Sequence, residues 1–201
     1  MNRREFLRRS ALGAAVAVVA TFAYRTTQFL THERAAVRTE CWTWNWLPFH
    51  PAWLWLYVSM FVIVGLPWYL LPEWRQVRRF AVCLVGMAAV GWITFLLHPT
   101  ACARPTVEGP TWSYALLLAL DRPNNCLPCL HSAMALLAAG VLAADAPVFR
   151  SWLARVALWA WCAAIVVSIV ALRQHTDIDT LVGLGLGSIA LGAYRAGRRG
   201  Q

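Results

Sequence analysis

The stretch FAVCLVGMAAVGWITFLL, Phe80–Leu97, decides the fold. It carries no charged side chain, and as an α-helix it rises about 27 Å, close to the roughly 30 Å of hydrocarbon in a bilayer. Comparable runs lie on either side of it, at Ser10–Tyr24, Trp53–Leu71, Leu127–Ala144, Trp152–Leu172 and Ile178–Tyr194. The first is short and the fourth opens with polar residues. The pattern predicts an all-α, polytopic membrane helix bundle of about six transmembrane helices. A short interfacial helix is expected near Trp112–Leu120, between the third and fourth spans. Gly86, Gly91, Gly183, Gly185 and Gly187 fall inside the runs, where small residues let helices approach closely in lipid.

The bulk composition agrees. Of the residues, 60% are hydrophobic and 13% charged, against about 25% charged in an ordinary soluble domain. Mean hydropathy is +0.53. So few charges do not cover a water-facing surface. The net charge of +9 comes from 18 basic residues, all arginine. They sit in short breaks between apolar runs rather than on a polar basic face, which argues against a nucleic-acid partner and for membrane topology.

Arg3, Arg4, Arg8 and Arg9 precede the first run, and Arg75, Arg78 and Arg79 separate the second from the third. Arg150 and Arg155 lie around the fourth-to-fifth connection, and Arg195, Arg198 and Arg199 follow the last run. Six spans place all of these on one side, which the positive-inside rule makes cytoplasmic. The opposite loops mix Arg25, Arg34 and Arg38 with Glu33 and Glu40. The expectation is a multi-pass protein of the inner (plasma) membrane with both termini cytoplasmic. Asn2 to Arg8 also resembles a twin-arginine export signal, so residues 1–24 read as an N-terminal anchor or such a signal. Residues 25–201 form one membrane domain.

Three polar segments fall on the predicted periplasmic or exterior side: Leu97 to Pro105, Asp121 to Ser132, and Ser168 to Asp179. Ionisable groups near a membrane interior are costly, so their clustering points to function. His175 and Asp179 stand four apart, on one face of a helix start. A carboxylate on one ring nitrogen leaves the other free as nucleophile or base, although the same spacing also serves a helix-capping bond. Arg104 and Arg173 offer planar forks for phosphate oxygens, and a second histidine, His131, is placed to protonate a departing oxygen. Together these are the parts of phosphoryl transfer.

The segments resemble the type 2 phosphatidic acid phosphatase superfamily, in its inositol phosphorylceramide synthase-like (inositolphosphotransferase) branch. Pro128-Cys129-Leu130-His131 and His175 to Asp179 are similar to its two histidine signatures. Asp121-Arg122-Pro123 with Asn125, Ser168, Gln174, and Leu47 to Pro51 with Trp55 and Tyr57 extend the likeness over about Leu47 to Gly187. The resemblance implies a membrane lipid phosphatase or phosphotransferase. His175 would form a phosphohistidine, Asp179 would orient it, His131 would protonate the leaving group and Arg104 would bind phosphate. Arg173 is added to the phosphate site from its position alone. Cys129 stands where the branch has serine, so one phosphate contact is expected to weaken, a thiol being the poorer donor. No metal and no other cofactor is needed for this chemistry, and the expected partners are the bilayer and a lipid phosphate substrate.

Six cysteines allow a rival. Cys83 and Cys162 read as packing residues within spans. Cys41, Cys102, Cys126 and Cys129 fall on the outer side, where disulfides persist, and Cys102–Cys126 is the preferred pairing, tying Arg104 to the His131 segment. Alternatively Cys126-x-x-Cys129 marks a membrane thiol oxidoreductase, which leaves His175, Asp179 and Arg104 without a role. A non-catalytic lipid-binding protein is the third reading.

Overall fold

A computed structural model describes residues 1–38, 41–107 and 109–199. Glu40, counted above among the outer-loop acids, lies outside them. The described chain is an all-α bundle: α1 (Arg3–Thr31), α2 (Trp53–Gly65), α3 (Pro67–Leu70), α4 (Trp74–Leu97), α5 (Trp112–Leu120), α6 (Leu130–Asp145), α7 (Trp152–Ala171) and α8 (Asp177–Arg199). Two three-residue strands, β1 (Ala36–Arg38) and β2 (Thr100–Cys102), pair in parallel, a feature the sequence did not announce.

Each apolar run is helical, with instructive differences at the ends. The first run extends to 29 residues. Pro67 lacks the N–H needed to continue a helix, so α2 gives way there to the short α3. The fourth run loses its polar opening to a loop, leaving 16 residues, about 24 Å of helix. By length and composition four segments suffice to cross a membrane: α1, Trp53–Leu70, α4 and α7. The helix α6 is shorter, and α8 begins with Asp177 and Asp179 and ends in arginines. Between α4 and α6 a short helix forms with the expected ends, as α5.

The central helix is α6, which packs against α8, α7, α2 and α4. Most of its alanines and leucines are buried, as expected of a helix apolar nearly all round. One core lies between α2, α6 and α7, around Tyr57, Leu142 and Ile165. The other joins α4, α6 and α8 around Phe80, Leu137 and Tyr194. Among the expected packing glycines, Gly91, Gly183 and Gly187 do touch a neighbouring helix, whereas Gly86 and Gly185 face open space. Gly140, unremarked in the sequence, abuts Leu191. On the outside, Val18, Phe61, Val82, Ile93, Leu153 and Ile189 stand exposed, an apolar exterior compatible with a membrane protein.

One end of the bundle collects the arginine-bearing segments. Arg9, 2% exposed, donates to the carbonyls of Leu71 (2.5 Å) and Pro72 (3.2 Å) and pairs with Glu5. Arg8 lies over Trp74 and Arg79 over Tyr194, and Arg198 bridges to Asp145 at 3.0 Å. Two arginines of the signal-like segment therefore pack on the α3–α4 connection. The histidine-bearing segments gather at the other end.

Candidate functional site

The site is assembled where α6 and α8 begin. Cys129 N–H donates to the Asp179 carbonyl at 2.9 Å, and the Ser132 hydroxyl donates to the carbonyls of Cys129 (3.0 Å) and Thr180 (3.1 Å). These bonds lock the two helix starts together, one turn from His131 and His175. Gly183 makes the approach feasible: a Cβ there would fall 2.2 Å from the Cys129 oxygen.

The two histidines meet. His131 Nδ1 and His175 Nε2 are 3.2 Å apart, and His175 Nδ1 lies 3.0 Å from the Cys126 carbonyl. A carbonyl only accepts, so Nδ1 of His175 carries its proton and Nε2 its lone pair. His131 Nδ1 must then donate to that lone pair. Its Nε2 is left to accept from the Tyr57 hydroxyl at 2.7 Å. The result is a directed chain from Tyr57 through His131 and His175 to a backbone carbonyl. Burial, and next the neighbouring His131, push the His175 imidazole well below its ordinary value, which keeps it neutral.

Several expected roles change. Asp179 does not hold the His175 ring: its Oδ2 accepts from the Thr176 N–H (3.0 Å) and hydroxyl (2.8 Å), while the Asp179 N–H faces the Thr176 hydroxyl at 3.3 Å. This is the reciprocal bonding of a helix-capping pair. Its Oδ1 is buried and without a partner among the described residues, and a carboxylate oxygen lies within 4.8 Å of a His175 nitrogen. Cys129 is not placed for a phosphate contact either. It is fully buried, and its sulfur caps α6 by accepting from the Ser132 N–H.

Neither arginine is a free fork. Arg104 pairs with Asp121 at 3.1 Å and donates to the carbonyls of Asp121 and Arg122. Asp121 is also bound by Tyr24 (2.7 Å) and Gln28 (3.1 Å) of α1. Arg173 donates to the carbonyls of Trp44 and Leu47, both at 3.1 Å, and stacks over the Trp44 ring. Asp177 binds Thr43 of the same segment. Two residues flanking His175 in sequence therefore hold segment 43–47 beside the site. Each guanidinium keeps one buried nitrogen unpartnered among the described residues, Nε of Arg104 and Nη1 of Arg173.

Arg173 also adopts φ 58°. It ends α7 in the left-handed position usual for glycine, with Gln174 N–H bonded to the Ile169 carbonyl and Arg173 N–H to that of Val170. Asn125, at φ 65°, is better suited to such a backbone. With Asn124 it fastens the 121–129 loop to Thr27, Gln28 and Thr31 of α1. This polar stripe on α1 repeats at helical spacing, and it is the signal that reading α1 as an anchor alone overlooked.

The expected Cys102–Cys126 disulfide is not formed; both thiols are free. Each is spent on a different backbone carbonyl, Cys102 on that of Arg173 at 3.5 Å and Cys126 on that of Pro123 at 3.2 Å. Burial lifts the Cys126 thiol well above its ordinary value and those of Cys102 and Cys129 up to about 12.

A cavity of about 680 Å³ opens beside His131. The helix α1 packs on α3 and α4, whereas α2 packs on α6 and α7, and the space between α1 and α2 is walled by apolar side chains such as Val16, Met60 and Leu84. Its polar end carries Tyr24, Tyr57, Asp121 and His131. Exposed lining residues, among them Val19, Trp55 and Phe61, mark it as a groove open at the flank of the bundle. No protein-family model matches the chain, and no curated protein matches it.

Proposed function

We propose that the protein is an integral membrane lipid phosphatase or phosphotransferase of the type 2 phosphatidic acid phosphatase kind, working through a phosphohistidine on His175. The observation that carries this reading is the pairing of a neutral, oriented His175 Nε2 with the ring of His131, next to an apolar groove. A volume of several hundred Å³ with few polar groups is what a ligand of mainly apolar surface requires. Acyl chains would lie between α1 and α2 with the phosphate at the histidines.

In the first step the His175 Nε2 lone pair forms a bond to phosphorus, the ester P–O bond breaks, and the leaving oxygen takes a proton from His131, which takes up that proton as the substrate phosphate parts the rings, enters the step as the imidazolium and is left neutral. In the second, a water or alcohol oxygen gives its proton to His131 and attacks phosphorus, and the N–P bond breaks. Water makes a phosphatase and an alcohol a transferase. The two rings must separate to admit the phosphoryl group, because 3.2 Å between nitrogens leaves no room for it. The unpartnered nitrogens of Arg104 and Arg173 are donors not yet committed, and a phosphate dianion would compete with Asp121 for Arg104. The buried, protonated thiols weigh against the Cys126/Cys129 redox reading, which needs an accessible thiolate.

The arginine-bearing end would face the cytoplasm and the histidine end the periplasm or exterior of the inner membrane. The test is phosphate release from a panel of lipid phosphates by detergent-purified protein, beside His175→Ala. Release by the wild type that disappears in a folded His175→Ala protein is expected. Near-normal activity in that variant would falsify the nucleophile assignment. A reporter fused to the C terminus is expected to read cytoplasmic.

A further inference from the structure

The residue in the serine's place has chemistry of its own. The Cys129 sulfur lies within 4.8 Å of a ring nitrogen of both His131 and His175. A thiol and two imidazoles are a ligand set for Zn²⁺ or another borderline-soft divalent ion. We propose that Cys129, His131 and His175 form a metal site, binding one Zn²⁺-class ion through the sulfur, His131 Nδ1 and His175 Nε2. Occupancy takes the His175 lone pair and so switches off the phosphoryl transfer proposed above.

The spacing fits. Two nitrogens each about 2.0 Å from a tetrahedral ion stand about 3.3 Å apart, and the observed separation is 3.2 Å. The sulfur, within 4.8 Å of both nitrogens, binds at about 2.3 Å once it stands about 3.5 Å from each. The surroundings are also those of ligating histidines, whose other ring nitrogen is bonded to a carbonyl or similar group. His175 Nδ1–H already donates to the Cys126 carbonyl at 3.0 Å, and His131 Nε2 faces the Tyr57 hydroxyl at 2.7 Å. On binding, His131 changes tautomer: Nδ1 gives its lone pair to the ion and Nε2–H donates to Tyr57, whose oxygen turns from donor to acceptor. One proton leaves, that of the Cys129 thiol. Three protein ligands leave a fourth position for water or a phosphate oxygen. The serine of the resemblance would supply no such ligand.

This rests on the same side chains as the proposed function, so the assay must report binding without turnover. Full-length protein in detergent, stripped with a chelator under reducing conditions, is titrated with Co²⁺ and then Zn²⁺. The expected result is one ion per chain, with tetrahedral visible bands and a sulfur-to-metal charge-transfer band in the near ultraviolet, all displaced by Zn²⁺. Cys129→Ser removes the charge-transfer band and weakens binding by at least roughly 10- to 100-fold, the loss known for outer-sphere partners alone. Cys83→Ser, in α4, leaves both unchanged. X-ray absorption on the Zn²⁺-loaded wild type needs no variant and should give one sulfur and two imidazole nitrogens. Weak or substoichiometric binding, a shell without sulfur, or a band that survives Cys129→Ser overturns the site. Binding without phosphate release from any ion-free form would instead sink the proposed function and leave the metal site standing. Active protein with no Co²⁺ band does the reverse.

Discussion

Replacing Gly183 by alanine tests whether the α6–α8 contact sets the geometry of the site. The added methyl group would sit 2.2 Å from the Cys129 carbonyl oxygen and 2.3 Å from the Ser132 hydroxyl oxygen. Reaching an ordinary contact of 3.4 Å from the nearer atom needs about 1.2 Å of separation. The nearer clash is with backbone, so turning the Ser132 side chain aside does not relieve it. Overpacking of this kind costs about 1–3 kcal/mol, and for a chain of this size roughly 2–4 °C of melting temperature per kcal/mol. Cys129 and Ser132 bracket His131, and α8 follows directly on His175. The separation is therefore transmitted to the 3.2 Å contact between the rings. A misplacement of about 1 Å at reacting groups costs on the order of 100-fold in rate. Gly185 supplies the control, because a Cβ there meets nothing within 4 Å. Thermal unfolding in detergent and phosphate release are measured on both variants. The expected outcome is a lowered midpoint and about 100-fold slower release for Gly183→Ala, with Gly185→Ala unchanged. Equal behaviour of the two variants refutes the claim that this contact positions the histidines.

Three further substitutions probe separate parts of the site. Tyr57→Phe removes the hydroxyl bonded to His131 Nε2 and should slow phosphate release by roughly 10- to 100-fold, within the range of acid–base effects, while costing only about 1 kcal/mol of stability; unchanged turnover would remove Tyr57 from the chain. Arg173→Gly relaxes a left-handed backbone worth about 1 kcal/mol but frees the carbonyls of Trp44 and Leu47. Hydrogen exchange in segment 43–47 should accelerate, and continued protection there would show that Asp177 suffices to hold it. Asn125→Ala both strains φ 65° and loses its side-chain bonds to Thr27 and Thr31, at about 1 kcal/mol each. A fall in stability of about 2–4 kcal/mol is expected, and a loss below 1 kcal/mol would mean that the loop does not depend on α1.

Hydropathy made the helices legible because lipid and close packing impose long-range regularity on the sequence. The ends of α5 fall where Thr111, its cap, and Asp121 bracket the apolar run. Where backbone atoms decide, the sequence is silent. The partner of His175 Nδ1 is the Cys126 carbonyl, which any residue would supply, so the nearby carboxylate of Asp179 looked like the orienting group. That carboxylate instead caps α8 through Thr176, three residues before it. The counter-ion of Arg104 is not legible in the sequence either, since Asp121 lies 17 residues away and meets it only through the fold. The polar stripe Tyr24, Thr27, Gln28 and Thr31 was readable by its helical period, but it sits at the end of a segment judged by its apolar part.

The hydrogen-bond chain explains why a site built this way needs control. His175 rests with its lone pair covered by His131 Nδ1–H, and His131 is in turn held by Tyr57. Anything that engages that lone pair must first displace His131: a phosphoryl group by pushing the rings apart, an ion by reversing the His131 tautomer. The first demands space, which the groove beside His131 offers on the α1–α2 side. The second demands an exchange of protons and an approach of the Cys129 sulfur, at nearly fixed nitrogen positions. Rigid joining of α6 to α8 therefore favours the ion over the phosphoryl group, and a substrate must draw on acyl-chain burial in the groove to open the pair. On that balance, short-chain lipid phosphates should be poorer substrates than long-chain ones by more than their weaker binding alone, because remote contacts supply the energy that separates the rings.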